Sequence, residues 1–297
     1  MGGVPDPQRY VLTFGCPDRT GIIARISGFL AEHGGMIGEA AYHTDPDTGW
    51  FFTRQVVRAD SLPFDAAGLR ERFGTVAAEL SAESSWAVRD TGERPRAVVL
   101  VSKAGHCLYD LLGRVASGEL DVDIAAVIGN HASLADITRA HGIPFHHVPF
   151  PAGEAGGKKE GKAQAFAQVR KLVDEHTPDA VVLARFMQVL PAELCAEWAG
   201  RAINIHHSFL PSFAGAKPYH QAYTRGVKLV GATCHYVTAD LDAGPIIEQD
   251  VIRVDHGDSV EDMVRKGRDI EKVTLARGLR WHLEGRVLVH GNRTVVF

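Results

Sequence analysis

The chain has 297 residues, 45% of them hydrophobic and 23% charged, a composition that excludes extensive disorder and supplies enough apolar material for two modest domains. Its formal net charge is −4 and its lysines and arginines form no block, which argues against a nucleic-acid partner. We therefore expect small molecules as its main partners.

The first third of the chain alternates short apolar runs with amphipathic segments. The predicted elements are a strand at 10–14, a helix that follows Pro17, a hairpin at 36–58 with its turn at 45–49, a helix at 65–80 and a strand at 86–89. In the first helix Ile22, Ile26 and Leu30 recur at helical spacing. Gly34 and Gly35 then supply a stop signal. The order βαββαβ is that of a ferredoxin-like sandwich.

A polar segment with Gly and Pro, residues 90–96, marks a change in the hydrophobic pattern. We place the domain boundary there, with one domain at 1–90 and a second at 91–297. In the second domain, short apolar strands alternate with helical segments, which predicts a mainly parallel, Rossmann-like sheet with crossover helices. The fold class is therefore α/β.

Two later segments suggest no chemistry by themselves. The Gly- and Lys-rich stretch at 151–162 predicts a surface loop. Ser259 and Asp262 form a candidate capping box at the start of a long C-terminal helix, which we expect to be scaffold.

The cysteines and the N-terminus indicate in which cellular compartment the protein works. The four cysteines are Cys16, Cys107, Cys195 and Cys234. They form no CxxC pair, so the sequence predicts neither a disulfide framework nor a cysteine-rich zinc site. The N-terminus lacks the basic and apolar regions of a signal peptide, and no apolar run is long enough to span a membrane. We expect a cytoplasmic protein with no membrane partner.

Residues 204–222 contain the first pattern that suggests chemistry. Asn204 and His206 follow an apolar run, and residues two positions apart on a strand point to the same side. Ligands of open α/β sheets bind beyond the carboxyl ends of the strands. A neutral amide can donate to a developing oxyanion without titrating, and a histidine can exchange a proton near neutral pH. The pair suits attack on a carbonyl group.

A carboxylate that orients the histidine would complete such a site. The loop after the predicted strand 230–235 supplies Asp240 and Asp242, and we choose Asp242 because Ala-Gly-Pro follows it. Each residue alone has a structural alternative: a turn for the Asn, a hydrogen-bonded structural role for the His, and a cap for the Asp. The joint pattern is far more specific.

A metal site is a weaker interpretation of the same region. The histidines that would form it are His206, His207, His220 and His235. Their spacing matches no tight zinc motif, so we predict no bound metal and no tightly bound cofactor.

The blocks INIHHSFLPSF and GATCHYVTADLDAGPIIEQ resemble the folate-dependent formyltransferase family, whose shared core carries Asn-x-His and an Asp in a D-x-G-P loop. The N-terminal βαββαβ segment is similar to an ACT regulatory domain, although PDRTGI and the hairpin match that domain only loosely. The resemblance covers almost the whole chain and points to the hydrolase branch of the family. It implies that Asn204, His206 and Asp242 are the catalytic trio.

The resemblance also implies which residues hold a folate. The pteridine would lie against a strand end and the loop around Asp242, through Phe186, Met187, Gln188, Val189, Leu190, Thr238, Ala239, Asp240, Leu241 and Gly244. Without the resemblance, Met187 and Leu190 would be assigned to the core. Four residues extend the motif loop: His207, Lys217, Tyr219 and His220. We expect them either at the water side of the site or in a rigid loop packed over the sheet.

Transformylases that act on a ribonucleotide have a Gly-rich, phosphate-binding turn after the first strand of this domain. Here the turn reads VSKAGHCLYD, in which Gly105 remains while His106 and Cys107 add side chains. Ser102 and Lys103 could still contact an anion. Without a second substrate, water becomes the acceptor. The expected reaction is hydrolysis of 10-formyltetrahydrofolate to formate and tetrahydrofolate, supplying formate and recycling folate for one-carbon metabolism and purine biosynthesis.

Two alternatives stay open. A formyltransferase would pass the formyl group of 10-formyltetrahydrofolate to an amine acceptor, and it would need an anion site or basic groove that neither the turn nor the net charge indicates. A regulatory protein would bind folate and amino acids without turnover. The intact trio argues against that alternative.

The likeness to ACT domains implies a small amino-acid effector bound between paired copies, and therefore a homo-oligomer. The loop at 17–21 leads into a helix N-terminus, where a carboxylate can sit. The regulatory residues would be Asp18, Arg19, Thr20 and Gly21. The alternative is that Asp18 or Thr20 simply caps the helix.

Overall fold

The computed structural model describes residues 7–151, 158–212 and 218–297. The chain divides into two compact units, and the first comprises residues 1–94 together with 284–290 and 295–297. The second comprises residues 95–283 and 291–294. The division after Arg94 falls inside the polar segment expected to hold the boundary, while the C-terminal residues grouped with the first unit lie in the range that the sequence assigns to the second domain.

The first unit has an antiparallel sheet covered by helices. Its elements are β1 (Arg9–Pro17), α1 (Ile22–Glu32), β2 (Ile37–Asp45), β3 (Trp50–Arg58), α2 (Ala66–Leu80) and β4 (Ser85–Asp90). The strand order is β2-β3-β1-β4, with every neighbouring pair antiparallel. This is the predicted βαββαβ arrangement, and it is consistent with an ACT-like domain.

The apolar faces of the two helices build the core of this unit. Ile22, Ile26 and Leu30 of α1 are buried, as their spacing predicts. Asp65 caps α2 by accepting a hydrogen bond from the backbone N–H of Gly68 at 2.8 Å. The ring of Phe73 from α2 meets Phe14 of β1 edge to face, with centroids 5.9 Å apart.

The second unit is built on a seven-stranded sheet. Its elements are β5 (Arg96–Val101), α3 (His106–Ala116), β6 (Asp123–Gly129), α4 (Ala135–Ala140), β7 (Phe145–His147), α5 (Lys158–His176), β8 (Ala180–Ala184), α6 (Ala192–Glu197), β9 (Ala202–His206), α7 (Pro218–Arg225), β10 (Leu229–Tyr236), β11 (Ile246–Arg253) and α8 (Val260–Leu283). A hairpin of β12 (Val287–His290) and β13 (Arg293–Val296) ends the chain.

The strand order of the large sheet is β11-β10-β9-β8-β5-β6-β7. The pairs from β9 to β7 are parallel, and β10 and β11 are added antiparallel. Strands β5 and β8 are buried on both faces, which explains their nearly continuous Val and Leu sequences. The predicted mainly parallel, Rossmann-like sheet is confirmed.

Of two predictions from the sequence, the capping box before α8 is confirmed and the loop at 151–162 is wrong in part. The capping box at the start of α8 is present, since the backbone N–H of Asp262 donates to the Ser259 hydroxyl at 3.1 Å and that of Ser259 donates to the Asp262 carboxylate at 3.0 Å. The loop predicted at 151–162 is wrong in its second half, because α5 already begins at Lys158; residues 152–157 lie outside the described ranges.

Among the described residues, no helix combines the length and the apolar character needed to cross a bilayer.

Candidate active site

The structure brings Asn204, His206 and Asp242 together. Asn204 and His206 lie on β9, and the strand ends at His206. Asp242 lies in the connection between β10 and β11, and its carboxylate Oδ1 is 3.2 Å from Nδ1 of His206. Both groups are shielded from solvent, with side chains 5% and 12% exposed. The predicted trio therefore has the geometry of an oriented acid/base pair beside an amide.

The contact with Asp242 determines which nitrogen of His206 is available. A carboxylate accepts hydrogen bonds, so Nδ1 carries the proton that is donated to Asp242. The other nitrogen, Nε2, is buried and has no hydrogen-bond partner among the described residues. His206 also lines the pocket described below. Its free nitrogen is thus available to exchange a proton with a bound substrate or water.

The amide of Asn204 is oriented by His235, on the neighbouring strand. The register of β9 and β10 places these two residues opposite each other. Nδ1 of His235 donates to the carbonyl oxygen of Tyr236 at 2.9 Å, so in the neutral ring Nε2 is an acceptor. That acceptor lies 3.1 Å from Nδ2 of Asn204. One N–H of the amide is used in this bond, and the second N–H remains for a ligand oxygen.

Electrostatics keep Asp242 ionised and His235 neutral. The hydrogen bond from His206 lowers the pKa of Asp242, and the nearby imidazoles reinforce this against the opposing effect of burial. Burial lowers the pKa of His235. The carboxylate is therefore ready as a negatively charged acceptor at neutral pH, and His235 keeps the tautomer that orients Asn204.

The loop that carries Asp242 depends on a close backbone approach. Asp242 itself has a φ of 55°, a left-handed conformation that Asp and Asn tolerate better than most side chains. At Gly244 a Cβ atom would lie 1.9 Å from the carbonyl oxygen of Tyr236. Gly244 is buried behind the pocket and is not one of its lining residues. Its role is to let the loop pass close to Tyr236 at the end of β10.

Asn204, His206 and Asp242 line a pocket of about 660 Å³. Of the residues expected to hold a folate, the following line it: Phe186, Met187, Gln188, Val189, Leu190, Thr238, Ala239, Asp240, Leu241 and His207. Lys217, also expected near the water side, lies outside the described residues. The buried hydroxyl of Ser102 accepts the backbone N–H of Met187 at 2.9 Å, so Ser102 supports this wall. The pocket is lined by apolar side chains as well as by the trio.

A second polar group in the pocket wall was missed from sequence. Glu271 of α8 has a side chain only 1% exposed and lies 2.7 Å from Nε2 of His106 and 3.4 Å from Nε of Arg185. Its other carboxylate oxygen accepts the hydroxyl of Tyr219 at 2.7 Å. We call these four residues the Glu271 cluster. The expectation that α8 is only scaffold is therefore wrong, because this helix contributes Glu271 to the pocket.

His207 connects the trio to the Glu271 cluster. Its ring centroid is 5.1 Å from that of His206 and 6.0 Å from that of Tyr219. Burial, followed by the positive charge of Arg185, lowers the pKa of His207 to about 4. His207 is therefore a neutral aromatic spacer at neutral pH.

One set of side chains in the described residues has ligand atoms close enough for a metal ion: His106, Cys107 and Glu271, within 4.8 Å of one another. The histidines considered from sequence are not this set. Burial, and next the charge of Glu271, raise the pKa of the Cys107 thiol well above its usual value, which disfavours the thiolate that metals bind. Arg185 already supplies a positive charge to Glu271. The chemistry of the set suits a hydrogen-bonded cluster.

In the first unit, the loop expected to be regulatory adopts a defined conformation. The Asp18 carboxylate accepts the Thr44 hydroxyl at 3.1 Å, and the Arg19 guanidinium donates to the carbonyl oxygen of Glu79 at 3.1 Å. The N-cap of α1 is Gly21, with a φ of 96° and no side-chain capping bond. The alternative that Asp18 or Thr20 caps this helix is therefore wrong.

The fold and site together define a protein that handles formyl groups. A model of the formyl transferase family matches residues 95–279, and the chain belongs to that family. This confirms the resemblance carried by the Asn-x-His and D-x-G-P blocks.

The chain is similar to several formyltetrahydrofolate deformylases over nearly its whole length. The chain is 46% identical over 288 residues to a formyltetrahydrofolate deformylase of Corynebacterium sp. (strain P-1), an alignment that covers 97% of this chain and 98% of the relative. It is 43% identical to the formyltetrahydrofolate deformylase of Bacillus subtilis (strain 168), over 99% of this chain and 95% of the relative. The crystal structure of a formyltetrahydrofolate deformylase from Pseudomonas syringae pv. tomato str. DC3000 superposes with a TM-score of 0.93 at 56% identity, over 99% and 95% of the two chains.

Proposed function

We propose that this protein is a hydrolase that cleaves 10-formyltetrahydrofolate to formate and tetrahydrofolate. The observation that carries the proposal is the Asn204, His206 and Asp242 constellation in the wall of a folate-sized pocket, in a chain whose full-length relatives are formyltetrahydrofolate deformylases. The reaction belongs to one-carbon metabolism, and we extend the proposal to the supply of formate for purine biosynthesis.

The attack step uses the charges already described. A water molecule beside Asp242 and His206 attacks the formyl carbon and gives one proton to Nε2 of His206, while the Asp242 carboxylate stabilises the imidazolium that forms. The carbonyl oxygen becomes a tetrahedral oxyanion, and the free N–H of Asn204 donates to it. A neutral amide suits this task because it donates at any working pH and needs no reorganisation once His235 has oriented it.

Collapse of the intermediate breaks the bond between the formyl carbon and N10 of the folate. N10 takes up a proton as it leaves, and Nε2 of His206 delivers the proton that it received from the attacking water. Formate and tetrahydrofolate are the products, with the water supplying one oxygen atom to formate. Every step uses side chains of this chain, so we propose that no tightly bound cofactor or metal takes part.

Water, and not an amine, is proposed as the acceptor. The turn after β5 carries the side chains of His106, which bonds Glu271 and lines the pocket, and of Cys107, which is buried. A formyltransferase that acts on an amine acceptor is the alternative, but the described turn after β5 keeps only Gly105 of the glycine-rich turn with which transformylases bind a ribonucleotide.

The proposal is tested by measuring formate release from 10-formyltetrahydrofolate with the purified protein, with and without an added amine. We expect release without the amine. Asp242→Asn should lower kcat by about 10³-fold to 10⁴-fold, since Asn keeps the left-handed backbone but removes the charge that orients His206. Folate binding, measured by calorimetry, should remain. Formate that appears only when an amine is present would contradict the hydrolase.

We also propose that the first unit binds a small amino acid near Asp18, Arg19, Thr20 and Gly21 and that the protein works as a cytoplasmic homo-oligomer. Supporting the binding site, α1 starts at a glycine without a side-chain cap and has no acidic residue in its first turn, so its N–H groups are available to a carboxylate. A thermal-shift series with the free amino acids, followed by formate release at saturating effector, tests the site. Light scattering tests the assembly.

A further inference from the structure

The Glu271 cluster has no part in the mechanism above, although it lies in the same pocket. Glu271 is a carboxylate with a side chain only 1% exposed, and its hydrogen bonds and ion pairs with described residues are all internal to the cluster. One oxygen receives His106 and Arg185, and the other receives the hydroxyl of Tyr219. The net pKa of Glu271 is lowered: burial, the largest influence, raises it, but the bonds from His106 and Tyr219 and the charge of Arg185 together outweigh burial.

A buried carboxylate with this many partners determines where those partners stand. Leaving a buried charge without one of its partners is strongly destabilising, so each partner is held firmly in place. The partners come from three different segments: His106 begins α3, Arg185 follows β8, and Tyr219 lies in the first turn of α7. The cluster therefore fixes the position of three segments around one end of the pocket.

Two glycines show that this end is tightly packed. A Cβ atom at Gly267 of α8 would lie 2.1 Å from the Tyr219 hydroxyl, so the helix leaves a gap through which Tyr219 reaches Glu271. A Cβ atom at Gly105 would lie 2.7 Å from Leu134, so the turn that carries His106 is also pressed against its neighbours. The ring of Tyr219 and the backbone that carries His106 are therefore closely packed.

The cluster is continuous with the reacting centre. His207 touches both His206 and Tyr219, and all of them line the pocket. The apolar residues between Phe186 and Leu190 form a different part of the lining and suit the pteridine. The polar series that runs from His206 to His106 lines the same pocket as the trio.

We propose that the Glu271 cluster is the specificity-determining wall of the acceptor side: it holds His106 and Tyr219 where the substituents of an amine would have to lie, so that water alone reaches the formyl carbon. This rests on the proposed hydrolysis. With an amine, a new bond joins its nitrogen to the formyl carbon, the bond to N10 breaks, the amine loses a proton and N10 gains one. The trio can perform either reaction, and the wall selects between them.

The test measures how the whole chain divides the formyl group between water and an amine. Wild type and His106→Ala receive 10-formyltetrahydrofolate and increasing glycinamide, and nuclear magnetic resonance measures formate and N-formylglycinamide. Wild type should give formate alone at every glycinamide concentration. In His106→Ala, which removes an imidazole from the wall, N-formylglycinamide should appear at a ratio to formate at least about 10-fold above the detection limit that bounds wild type, because 10-fold is the usual discrimination of a pocket against added bulk.

His220→Ala is the matched control, because His220 also lines the pocket but makes no contact with Glu271 in the described hydrogen bonds and ion pairs. An equal rise with His220→Ala would overturn the inference, as would an unchanged ratio in a folded His106→Ala. If His106→Ala does not fold, Glu271→Gln takes its place; it keeps an oxygen for Tyr219 and weakens the hold on His106 and Arg185, and an unchanged ratio there overturns the inference. Wild type that releases no formate would instead contradict the proposed function itself.

Discussion

At the scale of single residues, the direction in which the Asn204 amide points is the most consequential feature of the site. Amide oxygen and nitrogen have nearly the same shape, and only the partner decides which one faces the substrate. His235 presents an acceptor because its other nitrogen donates to the carbonyl oxygen of Tyr236. His235 is therefore a positioning residue that acts through Asn204.

We predict that His235→Phe lowers kcat by about 10-fold to 10²-fold and leaves KM nearly unchanged, because the substrate still binds while the oxyanion loses an oriented donor. Steady-state formate release measures both constants. The control is a double-mutant cycle: in an Asn204→Ala background, His235→Phe should have little further effect. Additive losses would show that His235 acts on something other than Asn204.

The depressed pKa of His207 predicts how stability depends on pH. A histidine with an ordinary pKa near 6.5 when unfolded and about 4 when folded binds more protons in the unfolded state between these values. Its contribution to the free energy of unfolding is therefore complete above pH 6.5 and is lost as the pH falls toward 4. The loss is about 3 kcal/mol at most.

Urea unfolding of wild type and His207→Asn at pH 7 and pH 4.5 measures this contribution. The difference in free energy of unfolding between the two proteins should shrink at the lower pH. His256→Asn, at an exposed position outside the pocket lining, is the control and should follow wild type at both pH values. A His207→Asn curve parallel to that of wild type would contradict the assignment.

At the scale of elements, β9 and the β10–β11 connection must be aligned to within a fraction of an ångström. Gly244 makes this alignment feasible, because any side chain there collides with the backbone of Tyr236. We predict that Gly244→Ala shifts Asp242 and lowers kcat by about 10²-fold or more, the usual effect of a misplacement near 1 Å. Formate release and thermal melting are the measurements.

Gly113→Ala is the control for that substitution. Gly113 is an exposed residue inside α3, and a Cβ atom there meets nothing within 4 Å. Activity should be unchanged, and stability should rise by up to about 1 kcal/mol because alanine favours the helix. If Gly244→Ala were as harmless as Gly113→Ala, the close approach would not matter for catalysis.

Within these elements, some site residues could be predicted from the sequence and others could not. Asn204 and His206 could be placed on one face from the period of a strand, and Asp242 from the Gly-Pro that follows it. Glu271 could not, because a glutamate on a long helix is ordinarily exposed. A signal was nevertheless present: Glu271 falls at helical spacing on the buried stripe formed by Met263, Gly267, Leu275 and Leu279. A carboxylate on such a stripe indicates buried partners.

Arg185 illustrates a different limit. It directly follows the buried strand β8 and has a φ of 63°, a conformation that no local pattern of the sequence indicates for an arginine. Its partner lies 86 positions away, which follows from the residue numbers of Arg185 and Glu271 (271 − 185 = 86). Contacts of this range depend on how β8 and α8 are placed in the completed fold, so they became visible only in the structure.

At the scale of the whole molecule, the chemistry belongs to one unit. Every lining residue of the pocket falls between Ala104 and Glu271, within the second unit. The C-terminal residues 284–290 and 295–297 follow the catalytic part in sequence but group with the first unit. Within that unit, the ring of His290 stacks on Trp50 with centroids 4.1 Å apart, and the buried guanidinium of Arg54 donates to the carbonyl oxygen of Glu284 at 3.3 Å.

This division predicts how the chain can be cut. A fragment of residues 95–283 contains the whole pocket and should bind tetrahydrofolate, whereas a fragment of 95–297 carries segments whose packing partners are in the deleted first unit. Leu288, buried in the full chain, would then face water, and exposed apolar surface promotes association. Size-exclusion chromatography should therefore show the longer fragment as aggregates and the shorter one as a discrete species.

The formate release of the shorter fragment, compared with that of the full chain, then separates two roles of the first unit. A kcat within about 10-fold of the full chain, with no response to amino acids, is expected if the first unit only regulates; this range corresponds to about 1.4 kcal/mol in the barrier. Complete loss of turnover in a fragment that still binds folate would mean that the first unit helps to order the trio. A longer fragment that is monodisperse and more active than the shorter one would contradict the grouping of the C-terminal residues with the first unit.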